Sequence, residues 1–303
     1  MTDVVGIGLS CVDLIIAIDG FPQEDSKKAA EELFQQGGGP CSTALVTLCM
    51  LGAETRYIGT IGSDSFAAYM RNELEGYGVD ISNLNTIPSS TSTLAVVLVN
   101  KQKATRTIVW KKGNVPSPTE QQINLDILNG AKVLHLDGHH VDASKYAALY
   151  ARRNGIKVSL DAGNLFDRID ELVCLTDFLV TSEDFALKST GEQDSNKAAV
   201  ALYKKYNPEV VVITCGSKGG VCFDGKNLDS YPAYSIKVVD STGAGDVFHG
   251  AFIYGYLQHW DWLKICNFAS AVSALKCTKL GGRTGIPTIS EVYRFINDRG
   301  LNI

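Results

Sequence analysis

Asp240-Ser241-Thr242-Gly243-Ala244-Gly245-Asp246-Val247-Phe248-His249-Gly250-Ala251 is the stretch that organises the reading of this chain. Gly243-Ala244-Gly245 carries no side chain larger than a methyl, so backbone N–H groups can converge there on an anion. The apolar run Val247–Leu257 that follows reads as a helix whose N-terminus points at the same spot. A helix N-terminus carries about half a positive charge and a set of orphan donors, which suits a phosphate group. Asp246 falls in the first helical turn. As an N-cap it would stabilise the helix by about 1 kcal/mol. Beside an anion site, its carboxylate is equally suited to take a proton from a hydroxyl attacking phosphorus. These residues alone leave both readings open.

Upstream, strand-like and helix-like runs alternate. Val4–Leu9, Thr55–Ile61, Lys132–Leu136, Lys157–Asp161, Phe178–Thr181 and Val210–Cys215 read as short strands. Between them, Thr43–Leu51 (ending at Gly52) and Ser65–Glu75 have helical spacing. This βαβ rhythm predicts an α/β protein, a largely parallel sheet with helices on both faces. Two stretches break it. Leu94–Val99 and Thr105–Trp110 read as an antiparallel hairpin, and Leu14–Ala17 with Lys28–Gln36 as further extended chain. Together they predict a small β subdomain, a lid built from segments of about 14–36 and 92–112 within a single domain spanning 1–303. Val221–Asp224 and Leu228–Tyr231 predict a second hairpin.

Composition narrows the function. The 303 residues are 45% hydrophobic and 20% charged, an ordinary globular balance, and a net charge of −5 argues against a cationic nucleic-acid-binding surface. No apolar run reaches the ~18–20 residues of a membrane helix, and the start of the chain lacks a secretory pattern. The eight cysteines include no C-x-x-C pair, which predicts free thiols in a reducing, cytoplasmic setting. Neither nucleic acid nor membrane is expected as a partner.

Several familiar sites are missing. After Gly6-Ile7-Gly8, Cys11 stands where a dinucleotide-binding loop needs glycine. The P-loop pattern and the G-x-S-x-G elbow are both absent. His135 and His139 are four apart, but Asp137-Gly138 between them argues against a metal-binding helix.

Asp240–Ala251 resembles the C-terminal signature of the ribokinase/PfkB family of sugar kinases. Gly38-Gly39-Pro40-Cys41-Ser42-Thr43-Ala44 looks like that family's N-terminal glycine signature. Tyr57–Phe66, Gly78-Val79-Asp80 and Thr214-Cys-Gly216-Ser-Lys218-Gly219 match further blocks in the right order. The resemblance implies a ribokinase-like αβα sandwich with a β lid over the sugar. It implies an ATP-dependent carbohydrate kinase that moves the γ-phosphoryl group of ATP, with Mg²⁺, to a hydroxyl of a ketose or related acceptor.

Asp246 would then be the base and Gly243, Ala244 and Gly245 the anion hole. Asp13, Lys27, Gly38, Gly39, Thr43, Arg106 and His139 would meet the sugar. Ser182, Thr214, Gly216, Ser217, Lys218, Gly219 and Ser270 would meet the nucleotide. Asp240 and Thr242, with the segment Leu280–Gly285, would frame a monovalent-cation site, so that potassium raises activity. The β lid implies a homodimer.

Departures from the family pattern mark the points to test. Thr43 replaces the family's asparagine, a hydroxyl for an amide. The family's Asn-x-x-Glu appears as Ser182-Glu183-Asp184-Phe185, and His139 stands where many relatives place an acid. Gly37-Gly38-Gly39-Pro40, Lys27 and Ala274–Pro287 are also similar to the sulfofructose kinase branch, although His139 and Trp110 differ from that branch's arginine and asparagine. Lys27, Arg106, Lys111 and Lys112 are more cations than a neutral sugar needs; they read either as protection of lid edges or as a site for an anionic group on the acceptor. A nucleoside kinase of the same fold and an inactive sugar- or nucleotide-binding regulator are the competing readings.

Overall fold

The structure, a computed structural model, describes residues 2–165 and 167–300; the two ends of the expected 1–303 domain lie outside them. In chain order the strands are β1 (Val4–Ile7), β2 (Cys11–Ile18), β3 (Glu32–Gly38), β4 (Thr55–Ile61), β5 (Asp80–Thr86), β6 (Leu94–Asn100), β7 (Thr105–Lys111), β8 (Val133–Leu136), β9 (Lys157–Ala162), β10 (Phe178–Ser182), β11 (Val210–Thr214), β12 (Gly220–Phe223) and β13 (Leu228–Tyr231). The helices are α1 (Pro40–Leu51), α2 (Ser65–Gly76), α3 (Val141–Arg153), α4 (Asp170–Val173), α5 (Glu183–Thr190), α6 (Ser195–Tyr206), α7 (Ala244–Leu257), α8 (Trp262–Lys276) and α9 (Ile289–Asp298).

Nine strands form the main sheet in the order β13-β12-β11-β10-β9-β8-β1-β4-β5. From β11 to β5 every pairing is parallel, and β12 and β13 add the antiparallel hairpin at one edge. Val210, Val211, Val212 and Ile213 are all fully buried, as strands covered on both faces must be. One apolar cluster gathers side chains of α1, α2, α7, α8 and α9 on one face. A second gathers those of α3, α4, α5 and α6 on the other, which makes the αβα sandwich.

The segments expected to form a lid build a separate four-stranded sheet, β3-β2-β6-β7, around a small core of Ile15, Val97 and Val99 with Phe34 and Leu280 against it. Its strands start at Cys11 and end at Gly38 and Lys111, slightly outside the expected 14–36.

Three expectations change in detail. Asp80–Thr86 is a strand although it has no apolar run, because an edge strand needs only Ile81 and Leu84 buried to hold its place. Helix α1 begins at Pro40, whose missing N–H costs nothing in the first turn, with Gly39 at φ 101° as its N-cap. Helix α7 begins at Ala244 rather than Val247. Gly243 is its N-cap at φ 73°, so Asp246 sits inside the first turn and is not the cap.

Candidate active site

The chain leaving β1, β8, β9, β10 and β11 stands at the carboxyl ends of parallel strands, where ligands of open α/β sheets collect. Helix α7 enters there, packed between α1 and α8. Apart from Asp246 and His249 it is largely apolar because most of it is buried, and Gly250 allows the close approach: a Cβ there would lie 2.5 Å from Ala44 O. A cleft of about 670 Å³ opens beside the N-terminus of α7. It is lined by Thr214, Gly216, Ser217 and Gly219 after β11, by Ala244 and Gly245, and by Ser270 and Ser273 of α8. Ser273 Oγ donates to Ala244 O at 2.8 Å and Ser270 Oγ to Pro232 O at 2.6 Å, so both serines tie the walls together.

Asp246 stands at the first turn of α7, partly accessible. Burial, and next the charge of Asp161, push its carboxyl up to about 7. Asp13 and Asp137 push the same way, and His249 opposes them. A carboxyl poised near neutrality exchanges a proton readily at physiological pH.

On the acceptor side, Asp13 of β2 is buried, which raises its carboxyl from the usual range. A Cβ on Gly38 would lie 2.3 Å from Asp13 Oδ2, so this glycine lets β3 close against the carboxylate. Gly39 instead serves the turn into α1.

The family model for pfkB carbohydrate kinases matches residues 1–289. The chain belongs to the pfkB family of carbohydrate kinases. Ribokinase of Haemophilus influenzae is 27% identical over 96% of this chain and 97% of its own. A nucleoside kinase of Methanothermobacter thermautotrophicus is 26% identical over 96% and 94%. A putative ribokinase II of E. coli, solved with ATP and Mg²⁺, superposes at a TM-score of 0.86 with 24% identity, covering 98% of this chain and 100% of that one. The protein is thus an ATP-dependent kinase of sugars or nucleosides, with the ribokinase-like fold.

Within this pfkB kinase several residues assigned from the sequence take other positions. Lys218 does not line the cleft; it is exposed, with Nζ 3.4 Å from Glu183 Oε2. Ser182 is also outside the lining: its Oγ donates to Gly163 O at 3.0 Å and caps α5 by accepting from Phe185 N at 3.1 Å. Glu183 accepts from Ser195, and Asp184 pairs with Lys188 at 2.7 Å. Thr43 is buried, and its Oγ1 accepts from Arg283 Nε at 3.2 Å. Lys27 lies in the exposed connection between β2 and β3. Arg106 of β7 donates to Ser241 Oγ at 3.1 Å, two residues before Gly243. His139 donates its backbone N–H to Asp137 Oδ1 at 3.0 Å.

Other residues enter the site without having been read from the sequence. Asp137, 2% exposed, accepts from Leu9 N at 2.7 Å and Cys41 N at 3.1 Å, clamping the loop after β1 to the start of α1. Arg283, 1% exposed, donates to Glu73 Oε2 at 2.7 Å, Ser42 Oγ at 2.7 Å and Gly38 O at 3.1 Å. A glycine-flanked arginine is its only sequence signal.

Asp240 and Thr242 do meet the 280–285 segment. Asp240 Oδ1 accepts from Thr242 N at 2.9 Å and from Thr242 Oγ1 at 2.7 Å, and Oδ2 from Gly281 N at 2.9 Å. Among the described residues no group of three or more His, Cys, Asp or Glu could hold a metal ion.

Proposed function

We propose that the protein transfers the γ-phosphoryl group of Mg·ATP to a hydroxyl of a ketose or related sugar, with Asp246 as the base. The observation that carries this reading is the position of Asp246. It sits at the N-terminus of α7, its carboxyl pushed up to about 7, with the cleft on one side and the Asp13–Gly38 contact among its surroundings.

ATP fits the cleft between the Thr214–Gly219 turn and Ser270, its phosphates toward Gly243, Ala244 and Gly245. Asp13 holds acceptor hydroxyls, and Asp246 takes the proton of the one that attacks. The acceptor oxygen bonds to the γ-phosphorus, the bond to the β-bridging oxygen breaks, and ADP leaves with the electron pair. First-turn N–H groups of α7, which have no intrahelical acceptor, stabilise the charge on the transferred group, helped by Arg106 at Ser241. Magnesium arrives with ATP and neutralises phosphate charge; a nucleotide-borne Mg²⁺ needs few protein ligands. The site's own acids, Asp13, Asp137, Asp161 and Asp246, make such neutralisation necessary.

The acceptor carries an anionic group in this reading, held by Lys27 with His139, and the likeness to the sulfofructose kinase branch supports it. The outer lid strand β7 leaves Ile108, Val109 and Trp110 exposed, which supports a homodimer that covers the lid. All eight cysteines are free, which supports a reducing, cytoplasmic setting.

The test is an ATP-consumption screen over neutral sugars, sugar phosphates, sugar acids and nucleosides. Turnover of a sugar acid or sugar phosphate that drops about ten- to hundredfold in Lys27→Ala supports the reading. Preference for a nucleoside overturns the sugar, and ADP release with none of them supports the binding regulator.

A further inference from the structure

Lys276 is the last residue of α8 and is fully buried, 0% exposed. Its Nζ donates to the backbone carbonyl of Asp240 at 2.9 Å. A buried ammonium is retained only where charge and hydrogen bonds compensate its lost hydration. Here the compensation is local: the Asp240 carbonyl, the Asp240 carboxylate and the negative end of α8 itself.

Around that point the chain closes tightly. Val239 N donates to Cys277 O at 2.8 Å, Gly281 N to Asp240 Oδ2 at 2.9 Å, and a Cβ on Gly285 would lie 2.2 Å from Lys276 O. A carbonyl oxygen of this loop is what a potassium ion would need, and it is already engaged by an ammonium group. The residues present therefore do not fit the monovalent cation that the family resemblance implies.

We propose that the Lys276 ammonium replaces that cation, so that this kinase orders its anion hole without potassium. The proposal rests on the kinase reading above and deepens it. An ammonium group and a potassium ion are of similar size and both are satisfied by carbonyl oxygens. Tethered to α8, the ammonium is present at every turnover and needs no ion from solution. Its position one loop away from Gly243 matters, because a Cβ on Gly243 would lie 2.9 Å from Gly282 O. Asp240 thus ties both sides together: its carbonyl accepts from Lys276 at the end of α8, and its carboxylate accepts from Gly281 N of the 280–285 segment, the two backbones that shape the anion hole in this reading.

The experiment compares wild type with Lys276→Ala and Lys276→Met at equal ionic strength in potassium, sodium or tetramethylammonium chloride. Melting temperature is read as well as ATP turnover, so that the cation result stands even if no acceptor is turned over. Wild type should show the same melting temperature and rate in all three salts. Lys276→Ala, which leaves room for an ion, should lose about ten- to hundredfold in rate in tetramethylammonium and recover in potassium, with a parallel rise in melting temperature. Lys276→Met, which fills the room without a charge, should lose activity in every salt. Potassium-specific stabilisation or activation of the wild type would overturn the proposal, as would a folded Lys276→Ala indifferent to potassium. Should neither variant fold, the wild-type salt series decides alone.

Discussion

His249 Nε2 lies 3.1 Å from Asp161 Oδ1, three residues along α7 from Asp246. Both partners are buried. Burial by itself would raise the Asp161 carboxyl, but His249 beside it holds it below its ordinary range. The buried Nδ1 of His249 has no hydrogen-bond partner among the described residues. Asp161, with burial, pushes the Asp246 carboxyl up to about 7, while His249 opposes the rise. His135, whose ring centre is 5.8 Å from that of His249, stays neutral: burial and His249 lower it to about 3.

Replacing Asp246 by Asn should leave the fold and nucleotide binding intact and lower kcat by about 10²–10⁴-fold. It should also stabilise the protein in a pH-dependent way. The folded carboxyl at about 7 is raised above the usual value of 3.8, so ionisation costs stability increasingly from pH 4 to 7 and fully above that. The melting temperature of Asp246→Asn should therefore exceed that of wild type at pH 8 and match it near pH 4. A variant with near wild-type kcat would remove Asp246 from the reaction.

The acid limb of the wild-type kcat/KM profile should rise with an apparent pKa of about 7, because only the ionised Asp246 accepts the proton. Asp161→Asn removes one of the charges that raise it. Its limb should move to lower pH, and a pH–rate series on both proteins measures the displacement. An unmoved limb would separate Asp161 from the titration.

Gly245 lines the cleft, and a Cβ there would meet no protein atom within 4 Å. Gly245→Val should therefore fold normally and keep its melting temperature. The added side chain would occupy space that the nucleotide phosphates need, so kcat/KM for ATP should fall about tenfold or more, at a cost of at least ~1.4 kcal/mol. Kinetics with varied ATP and saturating acceptor, beside a melting curve, separate a blocked site from a damaged fold.

Arg283→Met should cost about 3–5 kcal/mol of stability, because it leaves Glu73 and the Ser42 and Gly38 acceptors without their buried partner. Adding Glu73→Gln should recover part of that loss, since the residues act as one network. Urea midpoints of the single and double variants give the coupling. Strict additivity would show that the Arg283–Glu73 contact contributes nothing of its own.

Much of the architecture is legible along the chain. Apolar β-branched runs such as Val210–Ile213, spaced by helical stretches, reveal the parallel sheet because both periodicities are local. The hairpin of β6 and β7 is visible for the same reason. Asp80–Thr86 is not, since an edge strand needs so few buried residues that its pattern is nearly polar. In the site, Gly243–Asp246 can be read directly because the turn, the helix start and the carboxylate are contiguous.

The sequence by itself determined the αβα class, the segments of the smaller sheet, the family and the place of Asp246 at a helix start, all carried by short contiguous patterns. Tertiary structure decided the rest of the site. Asp161 meets His249, Asp240 meets Lys276, and Gly38 meets Arg283 across many residues of chain. Sequence likewise gave no sign that Lys218 and Ser182 would turn away from the cleft to Glu183 and to the cap of α5. The physical reason is the nature of polar partnering. Which donor meets which acceptor depends on where packed elements bring them, and each pairing is enforced only by the cost of burying either group alone.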